Sequence, residues 1–313
     1  MPDAAATHDA WPPLPLAAWR DTYATLHMWT QMVGKTRLAL APPENHWWHV
    51  TLYLTARGLT TGPMPVGPRT LQLDFDFIAH RLRAAMSDGA TSEIALAPRS
   101  VADFYREYLA MLAGLRVRVK LWPVPCEVEQ PIRFTEDRVH ASYDAVYANR
   151  WWRVLAQADQ VFRRFRWGFL GKVSPVHFFW GGFDLAATRF SGRRAPGPER
   201  PDPMNREAYS HEVISAGFWP GSGSVKEAAF YAYAAPPPPG FAETRLEPSA
   251  AYYDPGWKLF VLPYDAVRTA ASPADTLLAF LQSSYDAWAT LGRWDRAVLD
   301  RPATGGAPAP APP

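Results

Sequence analysis

Cysteine is almost missing from this sequence. Cys126 stands alone, which excludes an intramolecular disulfide and every cysteine-rich zinc or iron–sulfur site. Long apolar runs are missing too: nothing approaches the roughly 20 consecutive apolar residues of a membrane helix. The opening stretch MPDAAATHDAWPPLPL lacks both the basic and the apolar region of an export signal. Together these absences point to the reducing cytosol, with no membrane partner. Neither sign of charge dominates, since 32 basic residues face 30 acidic ones for a net +2, so no global field draws in nucleic acid. The strong chemical motifs are absent as well. There is no Walker loop, no G-x-G-x-x-G after a strand, no H-E-x-x-H and no G-x-S-x-G, and no cofactor is expected. The GSGS at 221–224 precedes a strand rather than a helix and reads as a turn, not a phosphate cradle.

What is abundant is aromatic and proline. Over 313 residues, 48% apolar content suffices for a large core, and 14% of the chain is Phe, Trp or Tyr, whose rings need close partners or a cavity to line. The 32 prolines cluster near 12–15, 42–43, 63–68, 123–131, 196–203 and 236–239, dividing the map into segments. We expect residues 1–10 and an Ala/Pro tail at 302–313 to be disordered, with two α+β halves between them at 11–131 and 132–301.

The halves read alike. In the first, Trp19, Thr22, Leu26, Trp29, Val33 and Leu40 recur at helical spacing. NHWWHVTLYLTARG then reads as a strand, and Leu71, Leu73, Phe75 and Phe77 alternate with Gln72, Asp74 and Asp76. SEIALAP is a further strand, and a Ser-capped helix over SVADFYREYLAMLAGL stops at Gly114. In the second half, Trp151, Leu155, Ala158, Phe162, Phe165 and Phe169 mark a helix, followed by strands in HFFWGGFDLAATRFSGR, SHEVISAGFWPG, AAFYAYAAP and WKLFVLPYDAV. A helix opening on Pro273 closes it. His46-Trp47-Trp48-His49 leading to Leu54 parallels His177-Phe178-Phe179-Trp180 leading to Leu185, which suggests an internal duplication; chance likeness between aromatic strands is the alternative. The predicted fold is α+β, two α-β-β-β-β-α halves with antiparallel sheets and helices on one sheet face. The other face meets water, the sister sheet or a ligand. The two sheets either pair edge to edge or enclose a groove.

Polar groups gather on the aromatic strands of the second half. Strand alternation puts Trp180, Gly182 and Asp184 on one side of HFFWGGFDL, with the two glycines leaving space beside the carboxylate. In SHEVISAGFW, His211, Ser215 and Trp219 share a face and Glu212 opposes them unless a bulge intervenes. Tyr231 and Tyr233 add two hydroxyls to the next strand. Convergent polar groups among rings are how small-molecule pockets are built. We therefore take Asp184, His211 and His177 as catalytic candidates, and Trp180, Glu212, Tyr231, Tyr233 and Arg189 as contacts for a ligand of aromatic or apolar character. Each residue alone has a blander reading, as a turn cap, a core histidine or a solvated charge. His46 and His49 fall on opposite faces of a strand with no third ligand near, so no metal is expected. The arginines at 150, 153, 163, 164 and 166 read as the solvated side of a helix.

The blocks WPPLPLAAWRDTYATLHMWTQMVGKTRLAL, NHWWHVTLYLTARGLTT, SPVHFFWGGFDLAATRFSGR and EAYSHEVISAGFWPGS resemble those of an uncharacterised bacterial family, domain of unknown function 5996, over about residues 11–300. The resemblance implies no activity, cofactor or catalytic residue. Two functions stay open: a small-molecule enzyme or binding protein with its site on the second-half strands, or a non-catalytic scaffold whose rings are core and interface. A concave, ring-lined cavity reached by at least three of Asp184, His177, His211, Tyr231 and Tyr233 would favour the first.

Overall fold

Proline at 15 ends the extended entry to helix α1 (Leu16–Leu40), which runs 25 residues before Pro42 and Pro43 forbid its continuation. The structure, a computed structural model, describes residues 10–196, 202–221 and 225–302. Of the ends expected to be disordered, 1–10 and 302–313, all but Ala10 and Pro302 lie outside that description, as does most of the GSGS turn. After α1 come strands β1 (Tyr53–Leu54), β2 (Gly58–Thr60), β3 (Met64–Val66), β4 (Arg69–Asp76), β5 (Arg81–Met86) and β6 (Thr91–Ala95), then helix α2 (Val101–Gly114). Ser100 caps α2 by accepting the Asp103 amide, as its sequence signal requires. The second half opens with α3 (Ala145–Trp167), whose first turn is capped by Asp144. It continues through β7 (His177–Phe179), β8 (Asp184–Arg194), the short helix α4 (Pro203–Ala208), β9 (His211–Trp219), β10 (Ala229–Ala235), β11 (Tyr252–Asp254) and β12 (Leu259–Pro263). Helices α5 (Tyr264–Arg268), α6 (Pro273–Leu291) and α7 (Arg296–Leu299) complete it.

Each half builds a six-stranded antiparallel sheet. The first runs β1-β2-β4-β5-β6 with β3 beside β4, and the second runs β11-β12-β10-β9-β8-β7. Each sheet falls in the chain between a long helix and a second helix, the α+β architecture of two similar halves. The edges meet where Leu52 and Phe178 exchange both backbone hydrogen bonds, at 2.9 and 2.8 Å, joining the entry of β1 to β7. Of the two arrangements left open by the sequence, the sheets therefore touch edge to edge. Buried apolar residues from both halves, from Trp11 to Leu299, form one continuous cluster. Residues 132–144, placed in the second half by the expected boundary, bond back to the first, with the amides of Val101 and Ala102 donating to the carbonyls of His140 and Asp137.

Two segments differ from the sequence reading. NHWWHV forms no strand: His46 and Trp47 sit at φ 57° and 61°, and the chain makes a tight helical kink before β1. The letter parallel between His46–His49 and His177–Trp180 accordingly has no structural counterpart, because β7 is matched in topology by residues just after the kink. HFFWGGFDL is a hairpin, not one strand, since the chain turns at Trp180–Phe183 and Phe183 has φ 58°.

The two outer sheet faces differ. In the first sheet, Leu73 and Phe75 of β4 point to the core, while Gln72 bonds Asp74 and exposed Arg81 pairs with Glu93 at 2.6 Å on the opposite, wet face. In the second sheet, Leu185, Ile214, Phe218 and Phe230 lie buried toward α3 and α6. Its opposite face carries Asp184, Ala186, Thr188, Ser215, Trp219, Tyr231 and Tyr233, and it is roofed by protein rather than water.

Candidate functional site

The roofed face encloses a cavity of about 1030 Å³. Its floor is β7 to β10 and β12 of the second sheet. Its walls come from elsewhere: Tyr23 and His27 of α1, the kink at His46–Trp48, the strap Cys126–Val128 between the halves, and α4 with Tyr209. The pocket is thus assembled from both halves.

At its polar end, Glu127 and Asp184 converge on the turn Gly181-Gly182. A Cβ on Gly181 would stand 2.2 Å from Glu127 Oε1, and one on Gly182 would stand 2.8 Å from Asp184 Oδ1 and 3.4 Å from Glu127 Oε2. The glycine pair is what lets two carboxyl groups share this space. Burial raises the Asp184 carboxyl to about 7, Tyr231 opposes the rise by hydrogen bonding, and the Glu127 charge adds to it. Glu127 is open to the cavity, yet the protein crowded around it still pushes its carboxyl up. A carboxyl that is half protonated near neutral pH, next to a second one, is equipped to give or take a proton.

Tyr231 reaches Asp184 from two strands away. Its hydroxyl donates to Asp184 Oδ2. The ring crosses β9 at Gly217, where a Cβ would sit 2.3 Å from the Tyr231 hydroxyl. Tyr233, stacked on Tyr231 with ring centres 6.2 Å apart, exchanges a 3.0 Å hydrogen bond with Tyr209. Thr188 and Ser215 are linked at 2.8 Å on the same floor. Burial and the nearby Asp184 charge raise Tyr23 to about 12, and they raise Tyr209, Tyr231 and Tyr233 as well, so all four keep their protons.

Helix α1 holds both carboxyl-bearing segments. The Gln31 amide donates to the Cys126 carbonyl at 2.8 Å and accepts from the Cys126 amide at 2.9 Å, fixing the strap next to Glu127. One turn earlier, His27 Nε2 donates to the carbonyls of Gly181 and Trp180 at 2.7 and 3.1 Å. Burial lowers His27 to about 4, so it is a neutral donor. Gly34 leaves room for the Trp180 ring to lie on the helix, since a Cβ there would fall 2.2 Å from that ring, and Trp180 Nε1 donates to the Val50 carbonyl at 2.6 Å.

Of the eight residues taken from the sequence as catalytic candidates or ligand contacts, Asp184, Trp180, Tyr231 and Tyr233 line the cavity together. The others lie apart from it. Arg189 alternates to the helix face of β8 and is buried there with its guanidinium 3.5 Å from the Phe165 ring centre and 4.2 Å from that of Tyr285. Its Nη2 donates to the Phe165 carbonyl. Glu212 points away from the cavity face, as the alternation argued, and pairs with Arg193 at 2.6 Å. His211, next to Ser210 at 3.0 Å and edge-on to His46, sits past the cavity's rim. His177 is buried in ring contact with Trp48, Tyr53 and Phe179, with Nδ1 2.9 Å from Thr51 Oγ1, and burial lowers it to about 3. Its position on β7 makes it a core histidine rather than a cavity group. Sequence reasoning passed over Glu127, His27, Tyr23, Tyr209 and Trp48. Among the described residues no three His, Cys, Asp or Glu side chains gather as metal ligands do, and no helix is long and apolar enough to cross a membrane.

Residues 11–301 match the model of a family of unknown function, DUF5996. The chain belongs to the DUF5996 family. The match takes in every wall of the cavity, from α1 through the strap to β12. No curated protein and no solved structure matches the chain at a significant level.

Proposed function

We propose that this DUF5996 protein binds a small organic molecule in the chamber over the second sheet, and that Asp184 with Glu127 forms its reactive or recognising end. The observation that carries this reading is the outer face of the second sheet. Its counterpart in the first sheet is polar and wet, whereas here three of the five groups named as discriminators, Asp184, Tyr231 and Tyr233, meet in a ring-lined cavity. A scaffold would have no use for two crowded carboxyl groups that burial disfavours. The ligand's body is apolar or aromatic, to match Trp48, Phe179, Trp180 and Trp219. The compartment that fits the single unpaired Cys126 is the cytosol of a bacterial cell. An ancient duplication accounts for the paired sheets, with one copy keeping a solvated face and the other acquiring the chamber.

The test is a thermal-shift screen of a metabolite library balanced among cationic, neutral and anionic compounds, run on the wild type and on Ala186→Phe. Ala186 is a buried floor residue two positions along β8 from Asp184, and a ring there projects into the cavity. Ligands of the native state raise the melting temperature by mass action, and chamber ligands lose that effect in the variant. A library without a hit, or hits indifferent to Ala186→Phe, would sink the proposal.

A further inference from the structure

The chain as a whole is nearly balanced in charge, but the chamber is not. Among the described residues that line it, Glu127, Asp184 and Asp202 are acidic and none is Lys or Arg. Every group that faces Asp184 is acidic or neutral: Glu127 from the strap, Tyr231 and Tyr233 from β10, Tyr209 after α4, and Tyr23 and His27 from α1. The two histidines of the lining are held uncharged, His27 by burial and His46 by burial with Lys172 beside it. Two cations approach the walls, Lys35 over the Trp180 ring at 5.8 Å and Lys172 over Trp48 and Phe190 at 5.2 and 5.1 Å, yet neither lines the space.

Rings surround the carboxyl pair. Tyr231 stacks on Tyr233 and meets Trp219 edge-on at 5.4 Å, and Trp219 in turn meets the half-exposed Trp257 at 6.1 Å. Aromatic faces around a carboxylate are the means by which proteins hold alkylammonium groups, because ring quadrupoles and a fixed negative charge both favour a cation. An anionic ligand would instead meet two carboxyl groups with no basic side chain to offset them. We infer that the chamber takes an organic cation, an amine or quaternary ammonium on an apolar or aromatic body, with its charged end against Asp184 and Glu127.

This inference rests on the chamber reading above and adds a charge to it. It also sets a proton balance: a cation favours ionised Asp184, so binding at neutral pH expels a proton, and affinity rises as pH passes through about 7 and then levels off. The experiment is titration calorimetry and thermal shift of the full chain with three probes of one shape, 2-phenylethylamine, 2-phenylethanol and 3-phenylpropionate. We expect the amine to bind at least tenfold more tightly than the alcohol, and the propionate not to bind. Asp184→Asn should bring the amine's affinity down to that of the alcohol, and Glu127→Gln gives a second, independent readout should the first variant fail to fold. Equal affinity for amine and alcohol, or preference for the propionate, overturns the charge assignment while the chamber reading stands. So does a library whose chamber hits are all neutral or anionic. If no compound of any charge binds, both fall.

Discussion

Replacing Asp184 with asparagine should make the protein more stable in alkaline solution and leave it nearly unchanged in mild acid. The folded chain holds the Asp184 carboxyl at about 7, against 3.8 for the free side chain. A raised carboxyl binds its proton more tightly when folded, so its favourable contribution is complete below about pH 4 and is lost as pH climbs to about 7. At 1.36 kcal/mol per unit the full loss is about 4 kcal/mol, and water in the cavity reduces it to about 2–4 kcal/mol. Asparagine keeps an oxygen to accept the Tyr231 hydroxyl and cannot ionise, so it escapes that loss. Urea denaturation of both proteins from pH 4.5 to 8.5 provides the difference curve. It should be smallest at the acid end, rise steadily between about 4 and 7, and plateau above about 7 in favour of the variant. In a Tyr231→Phe background the pH at which the curve levels off should move up, because the hydroxyl no longer favours the ionised form. A difference that does not vary with pH, or that is already level above about pH 4, would refute the idea that Asp184 is buried against its charge.

Gly217→Ala should cost about 1–3 kcal/mol in urea denaturation, because the new methyl group meets the Tyr231 ring and the Leu185 carbonyl at once and one must give. Chamber ligands found by thermal shift should lose affinity in the same variant, and unchanged binding would show that the Tyr231 crossing is dispensable. Gln31→Leu should cost about 1–3 kcal/mol by leaving both backbone groups of Cys126 unpartnered. Hydrogen exchange at the Cys126 amide should quicken with it, and a Cys126 amide as protected as in the wild type would mean that other contacts hold the strap.

The elements that were legible in the sequence are those decided locally. Alternation fixed β4 through Leu71, Leu73 and Phe75, and caps fixed the starts of α2 at Ser100 and of α6 at Pro273. The kink at His46 and Trp47 was not legible, because both residues take left-handed backbone angles without a glycine to announce them, and their aromatic neighbours imitate a strand. Half of the carboxyl pair was visible, since Asp184 sits beside a glycine pair. The other half was hidden: Glu127 lies in a proline-rich connector with no periodicity, and only the Gln31 clamp from a helix 95 residues away puts it in the cavity. His27 and Gln31 did carry a faint signal, two hydrogen-bonding side chains spaced i, i+4 on one face of a helix. Arg189 and His177 misled because strand residues of one chemical character alternate between a cavity face and a core face, and composition does not say which is which.

Helix α1 is buried around its whole girth from Thr25 to Arg37, and what covers it includes the β7–β8 hairpin. His27 finds its Trp180 partner 153 residues further along the chain, an interval of roughly 8–30 s at ordinary rates of synthesis. For that time a nascent chain must carry Leu26, Trp29, Met32 and Val33 without the surface that later hides them. Ribosome-bound chains ending before the hairpin should therefore be clients of chaperones, and chains released after it should not.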